Sequence, residues 1–388
     1  MPHLLAYCTN VHAGGDLARV WGNLERYCLA VKARFAPDRP MGVGLWLPAP
    51  TAKKLLEPGR LAGFADWLAS RELIPFTLNG FPYGDFHESQ VKHRVYHPTS
   101  FDSDRLEYTR DLARILHAIL PETISGSIST LPIAWGTPAP SSEQLAMAAR
   151  QLIQMANHLA ELEEESGRLI TLCLEPEPGC VLQCGGDIVW FFDEYLGTGE
   201  HAERCQRYIR VCHDICHAAV MFEDQQAVLE QYSQRGISVG KVQVSSAIEA
   251  DFDLAEASER AAILDALTPF AESRYLHQTT IRSHADAPLR FFDDLPAALT
   301  VAQQDTYHVH GQWRVHFHVP VYLKQLGRLA TTQTEIRQCL HAIERQSEPP
   351  HFEVETYAWG VLPPALQCAE VADGIAREMS WLQDLLGG

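Results

Sequence analysis

The feature that most constrains this chain is an alternation of short apolar, β-rich runs with longer helical runs, repeated along nearly its whole length. Residues 5–9 form the first such run. An amphipathic stretch starting near Asp16 follows, with Leu17, Val20, Leu24, Tyr27, Cys28 and Val31 at helical spacing. Asp16, after Gly14-Gly15, is placed to cap that helix. Further strand-like runs cover residues 43–47, 75–79, 124–131, 169–175, 208–214, 239–245, 275–281, 314–321 and 351–357. Helical segments such as residues 142–165 and 225–234 lie between them. Strands alternating with helices imply a parallel sheet with crossover helices.

A length of 388 residues suits one α/β chain closed as a (β/α)8 barrel with insertions. The runs outnumber the eight strands of such a barrel, so the surplus is expected in an insertion between about residues 246 and 350. No Pro/Ser-rich linker or break in composition divides the chain, so residues 1–388 read as a single domain. A last helix carrying Trp381, Leu382, Leu385 and Leu386 is expected to close it.

Charge narrows the partners. The formal net charge is −18, a field that repels phosphate backbones and argues against a nucleic-acid partner, while it concentrates cations. The ten cysteines are scattered and several sit in apolar runs, as free thiols do in a reducing compartment. The N-terminus, Met-Pro-His-Leu-Leu-Ala-Tyr-Cys, lacks a basic segment followed by a long apolar one, so no signal peptide is expected. No stretch approaches the roughly 18 apolar residues of a membrane span. A cytoplasmic chain acting on a small-molecule metabolite is the expectation.

In barrels of this kind chemistry sits at the C-terminal ends of the strands, so polar residues there carry the argument. The run Leu172-Cys173-Leu174-Glu175-Pro176-Glu177-Pro178-Gly179 is an apolar strand ending in a carboxylate, stiffened by prolines and then turned. Val211-Cys212-His213-Asp214-Ile215-Cys216-His217 ends a strand with an Asp-x-x-His pair, able to reach one metal, or one metal and one substrate oxygen. In Arg314-Val315-His316-Phe317-His318-Val319-Pro320-Val321, strand alternation puts Arg314, His316 and His318 on one face, costly inside a barrel unless they bind something. His318 lies nearer the strand end and is the preferred ligand; His316 is expected one layer deeper. In His351-Phe352-Glu353-Val354-Glu355-Thr356-Tyr357, Glu353 and Glu355 share the inward face, with Glu355 nearer the mouth. Gln243, His277, His12 and Asn79, also near strand ends, are expected to be structural or to face substrate. Dinucleotide fingerprints, Walker loops and Gly-x-Ser-x-Gly elbows are absent from the sequence.

Glu175, Asp214 with His217, a histidine strand and Glu355 at successive strand ends resemble the xylose-isomerase-like TIM barrel superfamily. Several segments, among them Tyr7-Cys8-Thr9-Asn10-Val11-His12, Leu174-Glu175-Pro176-Glu177-Pro178-Gly179 and His316-Phe317-His318-Val319-Pro320-Val321, are similar to the barrel (E) type of metabolite-traffic protein encoded in bacterial ebo gene clusters. The resemblance implies a divalent ion (Mn2+, Zn2+ or Mg2+) on Glu175, Asp214, His318 and Glu355. It also implies sugar or polyol isomerase or epimerase chemistry tied to processing or traffic of a small metabolite, and protein partners from the same gene cluster. Glu175 or Glu355 would act as general base and His217 would hold a substrate hydroxyl, with Gln243, His277, His316, His12 and Asn79 around the substrate. Gln243 stands where many such isomerases place a histidine, which puts turnover in doubt and leaves His318 or His277 to supply the imidazole. Two alternatives follow. One is a non-catalytic metabolite-binding traffic or scaffold protein. The other is metal-dependent phosphodiester hydrolysis of the endonuclease IV type, for which His87, His93 and His97 are candidates.

Overall fold

A computed structural model describes residues 4–285, 287–304, 309–346 and 348–387; Met1, Pro2 and His3 of the N-terminal segment lie outside them. Eight parallel strands build the main sheet: β1 (Leu5–Tyr7), β2 (Met41–Trp46), β3 (Leu73–Asn79), β4 (Gly126–Thr130), β5 (Ile170–Leu174), β6 (Ile209–Asp214), β7 (Val239–Val244) and, late in the chain, β14 (His351–Val354). Their spatial order is β1-β14-β7-β6-β5-β4-β3-β2. Beyond β1, Cys8 bridges Gly44 of β2 in parallel and nearly closes the ring. This is the expected (β/α)8 barrel.

The helical readings also hold. Asp16 caps the helix Leu17–Asn23 by accepting from Arg19 N at 3.0 Å. The helix Ser142–Ser166 opens on a Ser141/Gln144 capping box and stops at Gly167, whose φ of 71° suits a residue without a side chain. The helix Val371–Leu385 buries Met379 and Leu382 and packs on β1 and on the helix Leu29–Phe35.

Between β7 and β14 lies a second, antiparallel sheet: β8 (Ile248–Asp251), β9 (Thr279–Arg282), β10 (Arg290–Phe292), β11 (Gln312–Val315), β12 (Gln325–Leu326) and β13 (Leu329–Thr331), in the order β10-β9-β11-β8-β13-β12. It occupies the stretch expected to hold the insertion. Two sequence-based strands are corrected here. Residues 275–281 and 314–321 are not barrel strands; only their ends belong to β9 and β11, and residues 316–320 carry no regular structure. Arg314 consequently does not enter the barrel: its guanidinium pairs with Glu249 at 2.8 Å and Glu335 at 3.1 Å and lies over the Phe222 ring.

The insertion is stitched back to the barrel rim. Val319 N donates to Ser246 O, and Ala247 N to Thr332 Oγ1 at 2.8 Å. Glu378 on the last helix accepts from Val321 N, Thr356 Oγ1 and Trp359 Nε1 at 3.1, 2.6 and 3.2 Å, tying the exit of the insertion to the segment after β14. No described helix is long and apolar enough to cross a membrane. All ten cysteines are free.

The barrel interior is unusually polar beneath the mouth. Lys241 and Glu353 form an ion pair at 2.7 Å with neither side chain exposed. Gly44 makes the room: a Cβ there would stand 1.4 Å from Glu353 Oε1. Removing one partner of a buried pair strands the other charge in a low dielectric, at a cost of about 3–5 kcal/mol. Lys241→Met should therefore lower unfolding stability by about that much. Lys241→Met with Glu353→Leu should recover most of it, as read by denaturant titration. Glu378 makes a second test. Burial outweighs its three donors and pushes its carboxyl up to about 7. A folded value above the unfolded one of about 4.5 means the folded chain binds the proton more tightly. Its stability contribution is then complete at acid pH and is lost as pH rises through 7. Glu378→Gln should flatten the fall in melting temperature between about pH 5 and 8 relative to wild type.

Candidate functional site

At the C-terminal rim of the barrel the ends of five strands and the loop leaving β11 converge on one cavity. The space among its walls, counting the open mouth, is about 520 Å³. Asn10, Asn79, Glu175, Glu177, His217, His316, His318 and Glu355 face it, under a wall that includes Phe86, Tyr96, Tyr275 and Tyr357.

Glu175 is the residue next after β5. Its N–H completes the sheet by donating to Thr130 O at 3.0 Å, which leaves the side chain at the rim. Its Oε2 is buried and has no hydrogen-bond partner. Asp214 ends β6 and also caps the short helix Ile215–Val220. Oδ1 accepts from His217 N at 2.9 Å and Ser245 Oγ at 2.8 Å, and Oδ2 is left without a partner. Glu355 follows β14, and its Oε1 accepts from Asn10 Nδ2 and Asn79 Nδ2, both at 2.7 Å. The ligand oxygens of Glu175, Asp214 and Glu355 lie within 4.8 Å of one another.

Three imidazoles complete the rim. His217 Nδ1 faces Pro176 O at 2.8 Å, His318 Nδ1 faces Glu355 O at 2.7 Å, and His316 Nδ1 faces Gln278 Oε1 at 2.7 Å. Gln278 is oriented by its own amide N–H groups, which donate to Glu177 Oε1 at 2.9 Å and Tyr96 Oη at 3.0 Å. Carbonyl oxygens only accept, so each Nδ1 carries the proton and each Nε2 turns inward.

Burial and crowding split the charges. Burial, helped by Asp214, pushes Glu175 up to about 7 against the opposing pull of His217. Burial and the neighbouring Glu175 and Asp214 charges raise Glu355 well above the carboxylate range. For Asp214, burial is outweighed by His217, His318 and the donors on Oδ1, and its carboxyl is held below the ordinary value. Burial lowers His318 to about 4 and, with the rings of His217 and His318, drops His316 well below the usual imidazole range. His217 goes the other way: Asp214, Glu177 and Glu175 overcome its burial and raise it.

The structure thus gathers Glu175, His217, His316, His318, Glu355 and Asn79 around one cavity, with Asp214 grouped against Glu175 and Glu355, and leaves other candidates outside it. His277 is buried behind the rim, with Nδ1 on His316 O at 3.0 Å, Nε2 on Glu272 at 2.9 Å and its ring stacked on Phe317. His12 stacks on Tyr27 at 4.5 Å and meets Tyr7 Oη, and burial lowers it to about 3. Gln243 is inward but a layer below the rim, paired in register with Glu353, and both its amide atoms lack partners. His316, expected below His318, instead stands beside it, with the two Nε2 atoms 3.3 Å apart. His87 caps Asn10 O at 2.6 Å and His93 packs edge-on against Trp135; among the described residues, neither these nor His97 joins a group of convergent metal donors. Asn10, Gln278 and Tyr357 were missed as site residues. Asn10 alone carried a signal, since it stands two positions before His12 at the end of the first strand.

No family model matches the sequence, and comparison with curated proteins gives no match. Solved structures do match. A xylose isomerase-like TIM barrel protein from Mycobacterium smegmatis, in complex with magnesium, superposes with a TM-score of 0.54 at 9% identity, covering 99% of this chain and 96% of that one. A xylose isomerase domain protein from Planctomyces limnophilus does so with a TM-score of 0.50 at 12% identity, covering 99% and 98%. The fold is therefore a (β/α)8 barrel similar to those of these xylose isomerase-like proteins.

The two amides on Glu355 Oε1 fix where Oε2 points. Loss of such an outer partner typically weakens ion binding by about 10–100-fold. Were the carboxylates to hold a divalent ion such as Mn2+, Asn79→Ala would lower its affinity by about that factor, read by calorimetric titration, without changing the circular dichroism spectrum.

Proposed function

We propose that the chain is a divalent-metal-dependent isomerase or epimerase of a small sugar- or polyol-like metabolite. The observation that supports this most is the pair of buried carboxylate oxygens, Glu175 Oε2 and Asp214 Oδ2, that have no hydrogen-bond partner and lie in one group with Glu355 beside an open cavity that Glu175 and Glu355 line. Such oxygens are costly to bury unless something occupies them. Glu175, Asp214 and Glu355 would hold the ion, with His318 Nε2 beside Asp214 at 3.8 Å. When bound, it would polarise two vicinal substrate oxygens and stabilise the negative charge that develops on them.

The chain's own groups would do the rest. Glu175 would remove the proton from the hydroxyl-bearing carbon next to the carbonyl, and Glu355, whose proton affinity is raised and which reaches the same space from a strand three places away around the ring, would deliver its own proton to the resulting enediolate. Asn10 and Asn79 hold Glu355 in place for that transfer. His217 steadies a substrate hydroxyl. The aromatic wall narrows the approach to the acids. The traffic role carried by the sequence resemblance remains a further proposal: the same pocket would then hand a processed metabolite to partner proteins.

The test is solvent-deuterium incorporation into a panel of ketoses and polyol-derived ketones by Mn2+-loaded protein. Wild type should exchange the α-proton of at least one substrate. Glu175→Gln should slow exchange by about 10²–10⁴-fold. Ligand-induced thermal stabilisation without exchange in wild type would instead favour a binding protein that turns nothing over.

A further inference from the structure

The wall of the cavity differs in kind from the strand ends beneath it. Phe86, Tyr275 and Tyr357 come from the loop after β3, the insertion and the segment after β14. Their rings pack into one corner: Phe86 and Tyr275 have centroids 4.9 Å apart, Tyr275 and Tyr357 5.0 Å, and Phe86 and Tyr357 5.3 Å. Tyr357 also stands 4.7 Å from the His318 ring, so this corner adjoins the imidazoles. Phe81, Val91 and Val95 continue the wall. Two of its hydroxyls are taken up by the protein: Tyr96 Oη donates to Glu177 Oε1 at 2.9 Å, and Tyr275 Oη meets His87 Nδ1 at 3.4 Å. Among the described residues that line the cavity, Lys92 is the only lysine or arginine, and Asp294 pairs with it. Asp294 is itself held, because its Oδ1 accepts from His277 N at 3.1 Å. The wall thus offers carbon, and its one ammonium is already neutralised.

We propose that the ligand is a neutral amphipathic molecule, a hydroxy ketone or diol whose oxygen-bearing end meets the acids while an alkyl or aryl group of its own fills the aromatic corner, and not a free sugar or a sugar phosphate. This deepens the isomerase or epimerase reading and rests on it for the reacting end alone. A sugar hydroxyl moved from water on to this wall would lose its hydrogen bonds with nothing to replace them. A phosphate would come up against Glu175, Glu177 and Glu355 with the single ammonium spent on Asp294. The net charge of −18 disfavours it from a distance as well. An apolar group gains in proportion to the area it removes from water. An aryl group gains further, because the three rings can receive it edge-on or offset.

The experiment is a thermal-shift titration, with Mn2+ present, of hydroxymethyl ketones bearing a methyl, ethyl, propyl, butyl or benzyl group, set against dihydroxyacetone and its phosphate. From methyl to butyl the dissociation constant should fall by about 4-fold for each methylene added. The benzyl ketone should bind more tightly than dihydroxyacetone, and dihydroxyacetone phosphate should bind most weakly. Phe86→Ala should flatten the series while leaving the methyl ketone unchanged. Should Phe86→Ala fail to fold, Val95→Asn, at a half-buried place on the same wall, makes the equivalent change. A wild-type series that is flat, or that weakens with length, overturns the proposal. So does tighter binding of dihydroxyacetone or its phosphate than of the benzyl ketone. Solvent-deuterium exchange of the same compounds separates the two readings. A steep series without exchange sinks the isomerase or epimerase reading and keeps the amphipathic ligand; exchange in dihydroxyacetone with a flat series does the opposite.

Discussion

The hydrogen bond from His318 Nδ1 to the main-chain carbonyl of Glu355, at 2.7 Å, is the contact on which the mouth depends. It joins the loop leaving the inserted sheet to the end of the last barrel strand. Because a carbonyl can only accept, the same bond fixes the tautomer and turns Nε2 towards Asp214. Pro176 O does this for His217 from the end of β5, and Gln278 Oε1 does it for His316 from within the insertion. Three acceptors on three pieces of chain thus set three rings against one another. Gln278 could not serve without Tyr96 and Glu177, which decide which end of its amide faces the ring.

The barrel was legible because parallel strands buried on both faces read as continuous apolar runs. Ile170–Leu174 is buried throughout, and Glu175 breaks the pattern where the strand ends. Asp214 is legible for the same reason. The rest was hidden by irregular backbone. The alternation around Arg314 fits an antiparallel strand as well as a barrel strand, and β11 stops at Val315. His316 and His318 therefore stand on the irregular loop after β11 and not on a barrel strand. At the end of β1 a tight turn, Thr9–Val11, replaces the two-residue alternation. It presents Asn10 to Glu355 and sends His12 away to Tyr27. Inward direction was correct for Gln243, but depth was not readable: Ser245, two residues on, is the side chain that reaches Asp214.

Beneath the rim, Lys241 and Glu353 neutralise each other in the interior, and among the described residues the three carboxylates above have ion-pair contacts with histidines only. Their raised or divided proton affinities follow from burial and mutual repulsion, with Asp214 spared by its rings and donors. A chain that crowds acids in this way gives up stability at one locus, which is common where a fold serves a ligand.

The two histidines on the insertion have a topological consequence. His316 meets His217 although 99 residues separate them in sequence, and His318 is bonded to the carbonyl at the end of the last barrel strand. Assembling the rim therefore requires a long loop to close. A movement that lifts the insertion from the barrel would dismantle the cluster of rings and widen the cavity in one step, so the shape of the site and access to it are coupled through a single hinge of contacts.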